Sequence, residues 1–288
     1  MSINIDDFKV TNSISLKEIP TILKIDEDFE EKLEKIRDKL SEFQDVMYAH
    51  NRYSVLICLQ GMDTSGKDSL IREVFKDFNA RGVVVHSFKV PNSNELEHDY
   101  LWRHYLALPE KGKFAVFNRT YYENVLVTRV HPEYILGENL PNITHVEDIK
   151  PEFWFTRYEQ IKNFEKHISQ NGTIILKFFL HLSKEEQRKR LLHRLENNED
   201  NWKFSTGDLK ERERWTDYMQ CYEDAINNTS TEIAPWHVIP ADDKAMCRYI
   251  IAKIIWETMQ QYKDICEPDL DETVKANVKM YKEQLEKE

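Results

Sequence analysis

Four cysteines, Cys58, Cys221, Cys247 and Cys266, are all the sequence has, and no two stand close together. That spacing excludes a disulfide framework or a paired-cysteine zinc site and predicts a reduced, cytoplasmic protein. The N-terminus carries Asp6 and Asp7 and has no apolar core of signal-peptide length. No run approaches the ~18 apolar residues of a membrane span, so a soluble protein without a membrane partner is expected. Internal repeats and low-complexity tracts are absent. Glycine is scarce too, with seven in 288 residues. Two glycines in one short segment therefore stand out.

Positive charge is also in short supply. The formal net charge is −11, which argues against nonspecific nucleic-acid binding. The deficit is uneven: residues 1–50 carry −5 and residues 262–288 carry −3, leaving −3 for everything between. A local basic cleft in the middle could still hold an anion, because a Debye length of about 8 Å hides distant charge.

Apolar residues make up 41% of the chain, enough for a full core. The length suits one α/β domain of roughly 200–250 residues with terminal additions. Phe29, Leu33, Ile36, Leu40 and Phe43 recur at helical spacing and predict an amphipathic helix over 28–48. Strands are expected at 53–59, 83–90, 113–117, 173–182 and 236–239. Helices are expected near 67–78, 96–108, 121–130, 152–170, 184–195, 208–227 and 243–262. Strands alternating with helices imply crossovers and a parallel sheet flanked by helices. The expected organisation is an N-terminal helical extension (1–50), an α/β domain (51–262) and a C-terminal helix or tail (263–288).

The two close glycines fall in Gly61-Met62-Asp63-Thr64-Ser65-Gly66-Lys67-Asp68, which fits G-x-x-x-x-G-K with its last position altered. The motif follows a buried strand and opens a helix, the context in which backbone N–H groups and a helix N-terminus grip phosphate. Lys67 adds a point charge on the same phosphates. Asp68 stands where such loops usually place a metal-holding Ser or Thr. It could work with a nearby metal or merely favour the first helical turn. Asp63, inside the loop, could hold Mg²⁺, orient an accepting phosphate or brace the turn.

Phe117-Asn118-Arg119-Thr120-Tyr121-Tyr122-Glu123 begins where the third strand ends, the side on which active sites of open α/β sheets lie. P-loop enzymes often place an acid at position 118; here it is Asn, which shifts the expected metal role to Asp63. Arg119 could neutralise a phosphoryl group in transfer, and Arg129 could reach the same cleft. A surface salt bridge is the alternative for each. Residues 184–214 hold nine Lys/Arg beside eight acids. Two helices around a polar hairpin (196–204) would form a lid, with Arg194 and Lys203 facing ligand. Solvated helix faces would account for the other charges.

GMDTSGKD (61–68), HDYLWR (98–103), FNRTYYENVLVTRV (117–130) and HRLENNEDNWKFSTGDLKERERW (193–215) together resemble the polyphosphate kinase 2 family over about residues 30–260. The resemblance implies a P-loop kinase fold of the thymidylate-kinase-like kind, with a helical lid and frequent homo-oligomers, dimers or tetramers. It implies reversible phosphoryl transfer between inorganic polyphosphate and nucleoside diphosphates with Mg²⁺, or Mn²⁺ as an alternative. It assigns Asp63, Lys67 and Arg119 to the reaction centre. The reading of the residues themselves places Gly61, Met62, Thr64, Ser65, Gly66, Asp68, Asn118 and Arg129 on the nucleotide and phosphates, and Arg194 and Lys203 on polyphosphate. Two other readings share many of these residues. One is a nucleoside monophosphate kinase with a triphosphate donor, the other a nucleotide-binding regulator without turnover.

Overall fold

A computed structural model describes residues 3–197 and 205–288. Among them, five strands make one parallel sheet: β1 (Ser54–Gln60), β2 (Val83–Ser87), β3 (Phe114–Asn118), β4 (Thr173–His181) and β5 (Trp236–Pro240). Their order is β2-β3-β1-β4-β5. β1 is central and every residue of it is buried. Its side chains alternate between two cores. Val55, Ile57 and Leu59 face one side, while Leu56 and Cys58 face the other.

The helices are α1 (Phe29–His50), α2 (Lys67–Val74), α3 (Ser93–Leu96), α4 (Trp102–Leu106), α5 (Val127–Val130) and α6 (Pro151–Gln170). They continue with α7 (Lys184–Glu196), α8 (Thr206–Glu213), α9 (Trp215–Thr229), α10 (Lys244–Met259) and α11 (Glu272–Leu285). The first core joins α1, α2 and α10 to one sheet face, and the second joins α6 and α9 to the other. α1 is therefore part of the main core: Leu33 and Leu40 are fully buried. Truncating either to Ala would cost about 2–5 kcal/mol. Asp28 starts that helix by accepting from Glu31 N, and Asn51 ends it in a left-handed conformation.

The segment before α1 has one 3₁₀ turn, Ile5–Phe8, and is otherwise irregular. It crosses the edge of the sheet at β5, with Lys9 bridged to His237 and Val10 N donating to Trp236 O. That covering protects an otherwise open strand edge. α11 buries none of its residues. No described helix is long and apolar enough to cross a membrane.

Several elements are shorter than their sequence pattern suggests. β2 stops at Ser87 because its partner β3 stops at the paired Asn118, and Val90 beyond it is 90% exposed. The helix expected over 121–130 is a 3₁₀ turn (Tyr121–Val125) and the single turn α5, since Tyr121 and Tyr122 both point into the core. The helix expected over 208–227 breaks at Arg214, which donates to Val130 O and pairs with Asp217. Registers Leu59–Asn118 and Gln60–Phe179 bring the carboxyl ends of β1, β3 and β4 to one edge. The site is built there.

Candidate active site

The loop Gly61–Gly66 leaves the buried end of β1 and enters α2. Gly66 is the N-cap of α2 at φ +101°, a conformation that L side chains avoid. Thr64 adopts φ +63° without being glycine. Lys67 folds back over the loop. Its Nζ donates to Gly61 O at 2.7 Å, Met62 O at 3.2 Å and Ser65 Oγ at 3.3 Å. Burial pushes the Lys67 ammonium pKa down, with Asp63 pulling the other way. The lysine therefore sits where a phosphate can draw it from neutral carbonyls to a formal charge.

The loop is held from behind by α7. Arg190, buried, donates to Thr64 O (3.1 Å) and Ser65 O (3.3 Å) and, through its other terminal nitrogen, to Ala241 O (2.8 Å) and Asp242 O (2.9 Å). Gln187 Nε2 donates to Asp63 O at 3.1 Å. With these carbonyls engaged, the loop's capacity for anions rests on its N–H groups and the start of α2.

At the end of β3, Asn118 Nδ2 donates to Asp68 Oδ1 at 2.5 Å. Asn118 Oδ1 is buried with no partner among the described residues. Arg119 takes φ +62° and reaches back across the sheet edge to Asp63, Nη2 to Oδ1 at 3.0 Å. Burial opposes the Arg119 charge, but Glu123 and Asp63 outweigh it and keep its pKa above the ordinary arginine value. Glu123 was given no role from the sequence, although it lies in the quoted segment. Burial pushes its carboxyl up, while Arg119 and Lys67 favour its charged form.

A cleft of about 1010 Å³ gathers these groups. Asp63 through Asp68, Asn118, Arg119 and Arg194 line it. So do Arg72 of α2, Lys189 and His193 of α7, and Lys244 and Arg248 of α10. Among the described residues, eight Lys/Arg and four Asp/Glu line the cleft, a local +4 in a chain of −11. Arg194 faces Asp208 of α8 at 3.9 Å across the mouth. His193 is exposed to this cleft. Lys203 lies outside the described residues.

One expected ligand group is elsewhere. Arg129 donates to Tyr158 OH at 2.9 Å and pairs with Asp224 at 2.7 Å, between α6 and α9. The 3₁₀ turn and the bend at Leu126 redirect the chain, so the long helix that would have aimed Arg129 at the cleft does not form. Arg72, Lys244 and Arg248 were missed because nothing in their spacing marks them. They meet the loop only through the packing of α2 and α10.

A family profile described as polyphosphate kinase 2 matches residues 24–266. An "ADP-polyphosphate phosphotransferase" of Rhodopseudomonas palustris is 49% identical over 237 residues, covering 82% of this chain and 81% of that protein. An "AMP/ADP-polyphosphate phosphotransferase" of Meiothermus ruber is 44% identical over 230 residues, 80% of each. The crystal structure of polyphosphate kinase 2 from Arthrobacter aurescens superposes with a TM-score of 0.87 at 32% identity, covering 96% of both chains. The phosphate loop on the central strand, the parallel sheet and the flanking helices are thus those of a P-loop kinase fold, and the chain belongs to the polyphosphate kinase 2 family.

Proposed function

We propose that this protein transfers phosphoryl groups between inorganic polyphosphate and nucleotides, with nucleoside diphosphates as the chief acceptors. The observation that carries the reading is the cleft's excess of cations. Lys67 and Arg119 suffice for the reacting phosphates, whereas Arg72, Lys189, Lys244 and Arg248 extend positive charge beyond them. A second polyanion gives those groups a purpose. ADP appears in the names of both relatives above and AMP in one, which supports diphosphate first and monophosphate second.

In the forward direction a β-phosphate oxygen of ADP bonds to the terminal phosphorus of polyphosphate. The bond from that phosphorus to its bridging oxygen breaks, and the shortened chain leaves as an anion. The nucleophile is already anionic, so no strong general base is needed. Catalysis reduces to alignment and neutralisation of two repelling polyanions. Lys67 and the loop grip the phosphates. Arg119, aimed by Asp63, meets the charge of the phosphoryl group in transfer.

A divalent cation fits this donor set. Among the described residues no three His, Cys, Asp or Glu side chains converge on one point. Mg²⁺ characteristically keeps its waters and takes one or two carboxylates plus substrate phosphates. Asp63 is the residue to hold it, and Asn118 Oδ1, without a partner among the described residues, is a further oxygen at the same edge. When bound, the ion supplies charge neutralisation and a template for the phosphates.

The test is ATP formation from ADP and long-chain polyphosphate with Mg²⁺ by the purified protein, beside AMP phosphorylation with ATP as donor. Turnover with polyphosphate is expected. Turnover with the triphosphate donor alone would make it a monophosphate kinase, and nucleotide binding without turnover under either donor a regulator.

A further inference from the structure

On the α6–α9 side of the sheet, against the 3₁₀ turn that follows Arg119, lies a buried polar cluster that the reaction does not use. Lys177 of β4 and Glu165 of α6 form an ion pair at 2.8 Å with no side-chain exposure on either partner. Lys177 Nζ makes two more 2.8 Å bonds, to Tyr122 OH and Thr229 O. The second carboxylate oxygen of Glu165 accepts from Tyr121 OH and from Tyr122 OH, both at 2.8 Å. Every donor of the ammonium is therefore used, and four elements meet at one charge pair. Such a pair is no more stabilising than well-packed apolar residues of the same volume. Core stability alone does not explain it.

Direction does. In a 3₁₀ turn neighbouring side chains diverge by about 120°. Two consecutive tyrosines that both reach one carboxylate oxygen fix the rotation of the turn about its axis. Thr120 adds a second restraint, its Oγ1 accepting from Gln60 Nε2 and from Tyr122 N, both at 3.1 Å. Thr120 joins the tyrosine pair to Arg119 on one side, and Glu123 follows it on the other. Arg119 holds a left-handed backbone conformation, which persists in a non-glycine residue only when its surroundings impose it.

We propose that Glu165, Lys177, Tyr121 and Tyr122 form a positioning clamp that sets the Arg119 guanidinium against Asp63. The clamp touches no substrate. It acts through the 3₁₀ turn, and it rests on the phosphoryl-transfer reading only in that kcat is one of its readouts.

The quadruple variant Tyr121→Phe, Tyr122→Phe, Glu165→Leu, Lys177→Met removes the polar groups together and strands no charge. It should fold with a Tm at or above the parent's, lose at least ~10-fold in kcat and keep its nucleotide KM within ~2-fold. In an Arg119→Ala background the same four changes should alter kcat by less than ~2-fold, since the group they aim is gone. A folded quadruple variant with parental kcat, or an equal loss in both backgrounds, overturns the clamp. Should the quadruple variant not fold, Tyr121→Phe with Tyr122→Phe keeps both rings and the ion pair. It should lose ~3–10-fold in kcat, again only when Arg119 is present, and no loss overturns the proposal. Side-chain NMR of labelled arginine reads the Arg119–Asp63 pairing without turnover. It should shift in the clamp variants even if the parent shows no polyphosphate-dependent transfer, and an unchanged signal would overturn the clamp.

Discussion

Lys67 joins two effects of opposite sign in one side chain. Its ammonium is buried and its pKa is lowered by that burial, which costs folding energy, yet it is the charge the phosphates would meet. Lys67→Met keeps the stem and removes the charge. We expect kcat/KM to fall at least ~100-fold, or about 2.7 kcal/mol of transition-state stabilisation. We expect the Tm not to fall. A variant retaining most of its activity would take the loop out of the reaction. Buried histidines contribute to acid stability, and His104 is one of them. His104 packs against Phe88 with ring centroids 4.2 Å apart, and burial drives its pKa from 6.5 to about 3. The fold accepts the neutral ring, so this contribution is complete above pH ~6.5 and is lost as pH falls toward 3. At pH 5 the loss is about 2 kcal/mol. Urea unfolding at pH 8 and pH 5 should show that His104→Phe narrows the parent's difference by about that amount, and an unchanged difference would rule this out. At this scale Asp63, Lys67, Arg119 and Arg194 were legible because each sits in a motif with a fixed place on a strand end or helix. Arg190 was not. Its sequence neighbourhood is that of any charged helix face, and only folding shows that it reaches the loop.

Among the elements, α7 matters most to the loop, and the sequence tells only half of it. Its start is readable from Ser183, whose Oγ accepts from Glu186 N at 3.0 Å. The start of α8 is equally readable, with Ser205 and Asp208 forming a capping box. The Glu186 carboxylate, however, goes to Arg190 at 2.9 Å instead of closing a capping box. That contact helps fix the fork that spans four backbone carbonyls from two loops. Patterning marks where these helices begin because capping is local; it cannot show which loop a helix braces, because that contact is long-range. Arg190→Lys supplies a point charge where a planar fork is needed. We expect it to destabilise the fold by about 3 kcal/mol in urea unfolding, since buried carbonyls lose their donors. Amide exchange across residues 61–67 should quicken. Unchanged protection there would mean that the loop holds its shape without α7.

For the whole molecule, the contrast between a net charge of −11 and a cleft of local +4 makes salt the natural probe. Most of the chain's acids lie away from the sheet edge, so they weaken the cleft's field only within a Debye length. A linear polyphosphate spanning the cleft would displace counterions much as a single-stranded nucleic acid does, by about 0.7 per neutralised charge. Arg194 comes from α7, and Lys244 and Arg248 come from α10. None of the three bonds the phosphate loop, so changing them leaves the Lys67 and Arg190 contacts in place. Arg194→Gln, Lys244→Gln and Arg248→Gln together should raise KM for polyphosphate at least ~10-fold while KM for ADP moves less than ~3-fold. The slope of log KM for polyphosphate against log salt should flatten by about 2, the value for three lost contacts. Steady-state kinetics at several salt concentrations, each substrate varied in turn, measures both. An equal rise for the two substrates would place these cations on the nucleotide. An unchanged slope would send the polymer along another face, because a polyanion held by these side chains cannot lose three of them and release the same number of ions.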